Sequence, residues 1–160
     1  MATRFWLFKS DPDEFGLSHL MKCPEQTTLW DGVRNYQARN YMREMKSGDG
    51  VLFYHSQTKP PAVVAIAKVV REAYPDPTQF DPLSKYHDAK SSRDEPRWSV
   101  VDIRLESALD RAVTLPEMRE EPALTDMELL RKGSRLSIQP VRSAEWKRIR
   151  AMGRRQAPKA

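Results

Sequence analysis

The chain has 160 residues, of which 39% are hydrophobic and 31% are charged, and these values favour one folded domain over a disordered chain. No stretch approaches the ~18 uncharged apolar residues of a membrane span, and charged residues come too early at the N-terminus for a signal peptide. The single cysteine, Cys23, excludes an intramolecular disulfide and a cysteine-rich zinc site. We therefore predict a soluble protein of a reducing compartment, cytoplasmic or, in a eukaryote, nuclear, with no membrane partner.

The positive charge is concentrated at the C-terminal end. The net charge is +5, and residues 147–160 are rich in lysine and arginine and contain no acidic residue. In the rest of the chain acidic and basic residues nearly balance. We predict a single domain over residues 1–153 and a basic tail over residues 154–160, which is either a solvated end or an arm that attracts phosphate.

The first predicted elements are a strand and two helices. Residues 4–10 are apolar on both faces, which predicts a central strand that is covered twice. A short helix follows over residues 12–21, and residues 27–33 are predicted to be a loop that contains Gly32. Apolar residues at helical spacing then predict an amphipathic helix over residues 34–45.

The middle of the chain predicts two strands and a long loop. The strands are residues 51–56 and the β-branched run of residues 62–70. Residues 74–97 are rich in proline and in acidic residues, with aromatic residues that can hold the segment against the domain. Loops of this length inside a domain are usually functional or disordered, and we predict an ordered one.

The C-terminal part predicts strands over residues 98–109 and 134–141, and short helices over residues 114–122, 125–133 and 143–152. Strands outnumber the crossover helices that a parallel sheet would need. The pattern therefore favours an α+β fold, with a small, mostly antiparallel barrel or curved sheet and with helices packed outside it.

The sequence lacks the motifs of common catalytic and cofactor sites. Its six glycines are scattered without dinucleotide or P-loop spacing, and no Gly-x-Ser-x-Gly elbow occurs. The histidines His19, His55 and His87 are too far apart for metal-ligand spacing. We therefore predict no catalytic residue, no metal site and no cofactor.

Aromatic residues stand beside small polar groups at several predicted strand ends and in one polar loop. The residues concerned are Lys9, Ser10, Trp30, Asn35, Tyr54, His55, Ser56 and Gln139. If the sheet closes on itself, its strand ends converge on one mouth, where rings can stack on a planar heterocycle and polar groups can read its edge. This arrangement favours a binding site for a nucleobase.

Each of these assignments has a structural alternative. Trp30 is either a stacking surface or a packing residue, and His55 is either a ligand contact or a structural histidine. Arg34, Arg39 and Arg43 are either phosphate contacts or a solvated helix face. If Trp30 is a stacking surface, its truncation to alanine should weaken binding and change the melting temperature by only a few degrees.

Two other functions remain open at this point. A small enzyme acting on a nucleoside or nucleotide would use His55 as a base and Ser56 or Cys23 as a nucleophile, but adjacent residues of a strand point to opposite faces. A protein-interaction module would use the acidic loop of residues 74–97. Such a module would keep its partner when Trp30 is changed.

Several long stretches of the sequence resemble the EVE domain family. They are FWLFKSDPDEF, TLWDGVRNYQARNYM, GDGVLFYHSQTKPPAVVAIAKVVREAYPDPTQFDP and RLSIQPV. The resemblance runs from about residue 4 to about residue 152. The family is similar to the PUA fold and is related to the YTH readers of methylated adenine in RNA. One departure is Asp11, where the family pattern usually has glutamate after Lys-Ser.

The resemblance implies a PUA-like, mostly antiparallel β-barrel flanked by short α-helices. It also implies a non-enzymatic domain with an aromatic pocket for a modified base of DNA or RNA, a methylated or hydroxymethylated cytosine or a related base. By motif position the pocket contains Trp30, Lys9, Ser10, Tyr54, His55 and Ser56, with Asn35 and Gln139 as readers of the base edge. We expect a monomer without a cofactor.

Overall fold

Six strands and five helices make up residues 3–154, the part of the chain that the computed structural model describes. The strands are β1 (Phe5–Ser10), β2 (Thr27–Leu29), β3 (Gly50–His55), β4 (Ala62–Pro75), β5 (Ser99–Thr114) and β6 (Ile138–Val141). The helices are α1 (Pro12–Phe15), α2 (Leu17–Lys22), α3 (Tyr36–Glu44), α4 (Leu115–Glu120) and α5 (Ser143–Met152). Within this range no helix is long and apolar enough to cross a membrane. Residues 155–160, which hold most of the predicted basic tail, lie outside the described residues.

The strands form one open sheet in the order β2-β5-β4-β3-β1-β6. β1 runs parallel to β3, and the other neighbouring pairs are antiparallel. The predicted α+β class with a mostly antiparallel sheet is therefore confirmed. Of the two predicted forms, a barrel or a curved sheet, the structure has an open sheet, because the edge strands β2 and β6 pair with β5 and β1 but not with each other.

β1 is central and covered on both faces, as its apolar sequence predicts. Trp6 and Phe8 are fully buried in a core on one face of the sheet, which also contains apolar residues of α2 and α3. Leu7 is fully buried in a second core on the other face, together with residues of α4 and α5. Trp6 donates its indole N–H to Asp49 (3.0 Å), so the polar atom of the ring is satisfied inside the core. These contacts hold β1 between the two cores.

Local predictions differ from the structure where packing overrides propensity. The helix predicted over residues 12–21 is divided into α1 and α2 by Gly16, whose backbone is extended (φ −110°, ψ −174°). Residues 27–29 form β2 instead of a loop, because they pair with β5. The helix predicted over residues 125–133 is a single 3-10 turn at Glu128–Leu130, and β6 is shorter than predicted.

The long loop between β4 and β5 is held by a buried glutamine. Gln79 is fully buried, and its Nε2 donates to the carbonyls of Asp76 (2.7 Å) and Trp98 (2.8 Å). Its Oε1 accepts from the backbone N–H of Trp98 (3.0 Å) and from the hydroxyl of Ser91 (2.5 Å). A single amide thus ties both ends of the loop together with all of its donors and acceptors in use.

Candidate functional site

A cavity of about 580 Å³ lies between the two edges of the open sheet. One wall comes from β2 and the loop that follows it, and another comes from the end of β1 and from the segment that precedes β6. Its lining includes Lys9, Ser10, Asp11, Glu14, Phe15, Thr28, Trp30, Asp31, Arg34, Lys85, Tyr86 and Ser137. The volume falls within the ~300–1,000 Å³ that small-molecule sites occupy.

Trp30 belongs both to the cavity wall and to the core. Its side chain is only 9% exposed. Its ring meets Phe8, Phe15 and Phe53 in edge-to-face contacts, with centroids 5.3, 5.9 and 5.7 Å away. Such contacts are favourable beyond the area that they bury. Trp30 is therefore a packing residue that also faces the cavity, and its stacking on a ligand stays a prediction.

Arg34 joins the loop after β2 to the loop between β4 and β5. A guanidinium has five N–H donors. Those of Arg34 bond to the carbonyl of Val33, the hydroxyl of Thr78, the carboxylate of Asp76 and, twice, the carbonyl of Tyr86. Asp76 is fully buried, so the Arg34–Asp76 contact (3.0 Å) is an internal ion pair. The chain itself uses the donors that a phosphate would need, and the phosphate contact of Arg34 stays a prediction.

Tyr86 forms a further wall of the cavity, and the sequence did not single it out as a site residue. Its ring lies against Gly32, where an added Cβ would come within 2.5 Å of Tyr86 Cζ. Gly32 also has a φ of +82°, which favours glycine. The sequence shows only that Tyr86 is an aromatic residue in a long loop that is predicted to be ordered. It does not indicate which part of the protein the ring faces.

The rim of the cavity contains a weak ion pair. Glu14 of α1 and Lys85 of the long loop approach to 3.2 Å, and their side chains are 64% and 63% exposed. Ion pairs this exposed contribute only ~0–1 kcal/mol. By contrast, Ser10 is buried, and its hydroxyl donates to the carbonyl of Phe15, which holds α1 beside the cavity.

Lys9 and Asp31 are charged groups of the cavity that are only partly shielded from solvent, since Lys9 is half-buried and Asp31 is exposed. Burial lowers the pKa of Lys9, and the more distant Glu128 acts in the opposite direction. Burial and then the neighbouring Asp76 raise the pKa of Asp31. In both residues the environment disfavours the charged form relative to water.

Tyr54 and Gln139 lie on the other face of the sheet, away from the cavity. Side chains alternate along a strand, so Tyr54 packs with Leu7 in the second core. Gln139 pairs with Leu7 across the strands and is fully buried. Its Nε2 donates to the carbonyl of Leu136 (2.9 Å), and its Oε1 has no partner among residues 3–154. The structure does not bring these two predicted site residues together with Trp30.

Asn35, His55 and Ser56 also lie outside the cavity lining. Asn35 caps α3 by accepting from the backbone N–H three residues further on (2.9 Å). His55 Nε2 accepts from the first backbone N–H of α2 (3.1 Å), and the Ser56 hydroxyl donates to the carbonyl of Ser10 (3.3 Å). These polar groups bond to the chain itself, and their ligand contacts stay a prediction. The base–nucleophile pair of the enzyme alternative, His55 with Ser56, is not formed among these contacts.

Arg39 and Arg43 of α3 hold the end of the long loop. Arg39 Nη1 donates to the carbonyl of Arg97 (3.0 Å), and Arg43 Nε donates to the hydroxyl of Ser99 (3.1 Å). The guanidinium of Arg39 also lies 4.7 Å from the ring centre of Tyr36, which is 51% exposed. Phosphate contacts by these two arginines stay a prediction.

A second cavity, of about 530 Å³, contains a cluster of basic residues. Arg119, Arg131 and Lys132 line it, together with Tyr54 and Lys9. Lys9 therefore lines both cavities. The sequence does not reveal this cluster, because Arg119 belongs to α4 while Arg131 and Lys132 follow the 3-10 turn at Glu128–Leu130. In the described part of the chain, no three His, Cys, Asp or Glu side chains are grouped so as to hold a metal ion.

The stability of the fold is expected to fall in acid because of His55. Burial lowers the pKa of His55 below the ordinary value of 6.5, and its Nε2 must be unprotonated to accept the N–H of α2. The unfolded chain therefore binds this proton at a higher pH than the folded chain does. The stabilising contribution is complete above about pH 6.5 and is lost as the pH falls toward the lowered pKa. Thermal unfolding across a pH series measures this dependence.

His55→Gln keeps an acceptor at this position and removes the titration. The melting temperature of this variant should fall less between about pH 7 and about pH 5 than that of the unmodified chain. His87→Gln, at an exposed position, is the matched control. An equal fall in the unmodified chain and in His55→Gln would show that another group causes the acid sensitivity.

Comparison with known proteins relates the chain to one family. The chain matches the EVE domain family over residues 4–152. It is 41% identical over 158 residues to thymocyte nuclear protein 1 of Danio rerio, with 88% of this chain and 68% of that protein covered. The human protein of the same name is 40% identical over 158 residues, with 88% and 70% covered. The chain thus spans about two thirds of the length of these relatives.

Solved structures share the fold. Human THYN1 protein in complex with DNA that contains 5-methylcytosine superimposes with a TM-score of 0.91 and 37% identity, over 97% of this chain and 100% of that chain. The YTH domain of Zygosaccharomyces rouxii MRB1 protein, in complex with N6-methyladenosine RNA, has a TM-score of 0.53 and 16% identity over 94% and 86%. The second likeness shows the fold alone. Because the family match extends from β1 to α5 and relatives near 40% identity share it, the chain belongs to the EVE domain family.

Proposed function

We propose that this chain is a non-enzymatic reader that binds nucleic acid carrying a modified base and takes that base into the cavity beside Trp30. The observation that carries the proposal is the likeness to human THYN1 protein, solved with DNA that contains 5-methylcytosine. The cavity offers the rings of Trp30 and Tyr86. Aromatic side chains are the surfaces on which an unstacked base is held.

The energetics favour a closely fitting cavity. A base must leave its stack to enter, which costs a few kcal/mol in a duplex, and one aromatic stack returns about 1–3 kcal/mol. A methyl group contributes only about 1 kcal/mol when it is buried. Discrimination between modified and plain bases therefore depends on the fit of the cavity and on paired polar groups. Trp30 is suited to such a fit, because its contacts in the core fix its position.

The body of the chain is nearly neutral, so attraction for phosphate has to come from local clusters of basic residues. We propose that the basic residues of the second cavity, Arg119, Arg131 and Lys132, supply it together with Arg39 and Arg43 of α3. Lys9 lines both cavities and so connects the site of the base with the basic cluster. Contacts of this kind position the strand without reading its sequence.

A binding screen tests the proposal. Short duplexes that differ only in one central base carry cytosine, 5-methylcytosine, 5-hydroxymethylcytosine, adenine or N6-methyladenine, and fluorescence anisotropy at fixed salt gives each Kd. At least one modified base should bind several-fold more tightly than its plain counterpart. Equal binding of all duplexes, or none, would contradict the proposal. The same oligonucleotides, recovered and weighed by mass spectrometry, should be unaltered.

A cavity-filling variant links binding to this site. Ser137 lines the cavity and is half-buried, so Ser137→Phe should fill it and weaken the preferred duplex by tenfold or more, about 1.4 kcal/mol. Ser107→Phe makes the same change at an exposed position of β5 that does not line the cavity. Its Kd should match that of the unmodified chain. A partner protein that is captured equally by the chain and by Ser137→Phe, without any nucleic-acid binding, would support the interaction-module alternative.

We extend the proposal to the cell compartment and to the oligomeric state. The relatives carry the name thymocyte nuclear protein 1, which supports a nuclear location for this chain in a eukaryotic cell. We propose a monomeric reader, which sedimentation equilibrium of the purified chain tests directly.

A further inference from the structure

Most charged residues that line the cavity are engaged by other groups of the chain. Arg34 donates all five of its N–H groups internally, and Glu14 is paired with Lys85. Asp11 accepts the backbone N–H of Asp13 (2.9 Å) as the cap of α1. Arg34 therefore has no N–H left for a ligand, and Glu14, Lys85 and Asp11 each already have a partner in the chain.

Lys9 and Asp31 remain for a ligand. Within residues 3–154 the Lys9 ammonium makes no side-chain hydrogen bond and no ion pair. Asp31 accepts from its own backbone N–H, and a carboxylate has about four acceptor sites, so most of its capacity is free. Asp31 follows Trp30 directly in the chain, and both line the cavity. The cavity therefore offers a strong acceptor and a strong donor next to an aromatic wall.

We propose that Asp31 reads the 4-amino group of a cytosine-type base in this cavity, while Lys9 donates to the acceptors on the same edge of the base. The inference rests on the proposed function and deepens it. Cytosine presents an amino donor at position 4 beside the acceptors N3 and O2, and carboxylates accept from this amino group in known recognition. Asp31 would accept from the amino group, and Lys9 would donate to N3 or O2.

Thymine is the base that such a site would reject. It carries the same 5-methyl group as 5-methylcytosine but has a carbonyl acceptor at position 4. A carboxylate that faces this carbonyl is a repulsive pair and is left without the donor that an amino group would supply. Partial burial and the neighbouring Asp76 raise the pKa of Asp31, so a donor such as an amino group would stabilise its charged form.

The test compares two bases that share the methyl group. Duplexes carry 5-methylcytosine or thymine opposite an abasic site, so that neither base has a pairing partner to lose. The unmodified chain should prefer 5-methylcytosine by roughly 5- to 150-fold, the range of one good hydrogen-bonded base contact. In Asp31→Asn the side-chain amide can donate to the thymine carbonyl as well as accept, so the ratio of the two Kd values should fall to within about threefold.

Asp13→Asn is the matched control. It removes the same charge from an exposed position of the neighbouring α1 and does not line the cavity, so it should keep the ratio. Thermal unfolding establishes that both variants are folded before they are compared. An equal affinity of the unmodified chain for the two bases, or an unchanged ratio in Asp31→Asn, would overturn the inference.

Failure of the inference is separable from failure of the proposed function. If N6-methyladenine is preferred to every cytosine duplex and Ser137→Phe abolishes that preference, the function stands and the role of Asp31 is overturned. If no modified base is preferred to its plain counterpart, the proposed function and the role of Asp31 are both contradicted.

Discussion

Replacing Trp30 with alanine is expected to lower the free energy of unfolding by about 3–5 kcal/mol, the loss typical of a truncated aromatic core residue. Trp30 is 9% exposed and makes edge-to-face contacts with three phenylalanines. The alanine variant loses these contacts and leaves a space that the surrounding strands cannot fill. Urea unfolding followed by circular dichroism measures the change. A stability loss below about 1 kcal/mol would show that the ring packs less well than these contacts indicate.

This expectation replaces the one drawn from the sequence, where a tryptophan in a polar loop pointed to a small change in melting temperature. Because Trp30→Ala disturbs the core, a loss of binding in that variant has two explanations. Trp30→Phe separates them, since it retains a ring in the core and presents a smaller surface to the base. We expect Trp30→Phe to lose less stability than Trp30→Ala and still to bind the preferred duplex less tightly.

Removing the guanidinium of Arg34 is expected to destabilise the fold by an amount on the order of 3 kcal/mol, because it leaves a buried carboxylate without its counter-charge. Asp76 is fully buried, while the Arg34 side chain is 23% exposed. In Arg34→Met the carboxylate would keep only the N–H of Gly32 and the two donors of Thr78. Thermal unfolding measures the loss, and hydrogen exchange should show the long loop opening first.

The double variant Arg34→Met with Asp76→Asn is the control for charge. It removes the buried carboxylate together with its partner, so it should be more stable than Arg34→Met alone. Arg39→Met, in a residue that contacts the same loop from α3, should change stability much less. A double variant that is no more stable than Arg34→Met would mean that lost hydrogen bonds, and not the buried charge, account for the effect.

The sequence predicts well those elements whose pattern of apolar residues matches the faces that pack into the cores. β1 is apolar on both faces and lies between two cores, and α3 has an apolar stripe and a polar cap at Asn35. The open edge of the sheet could not be predicted, because it depends on how far β2 and β6 extend. β2 is a strand because it pairs with β5. Three residues are too few for their sequence to indicate such a pairing.

The site was predicted in part for a similar reason. Lys9, Ser10 and Trp30 line the cavity, and they lie in the motifs that resemble the family. Tyr54 was placed there because it ends a strand, but strand alternation sends its ring to the other core. Arg34 looked like a free helix arginine, since its buried partner Asp76 lies 42 residues away in the chain. Pairings at that distance cannot be derived from local spacing.

The open sheet has a consequence for how a ligand would act on the protein. β2 and β6 are the two edges of the sheet, and residues of β2 and of the segment before β6 line the same cavity. If β2 and β6 paired with each other, the sheet would close into a barrel, and the paired strands would occupy the space of the cavity. A base bound there would bridge two edges that have no backbone hydrogen bonds to each other. Binding should therefore slow amide exchange at both edges together, including positions that do not touch the base, as if one more strand had been added to the sheet.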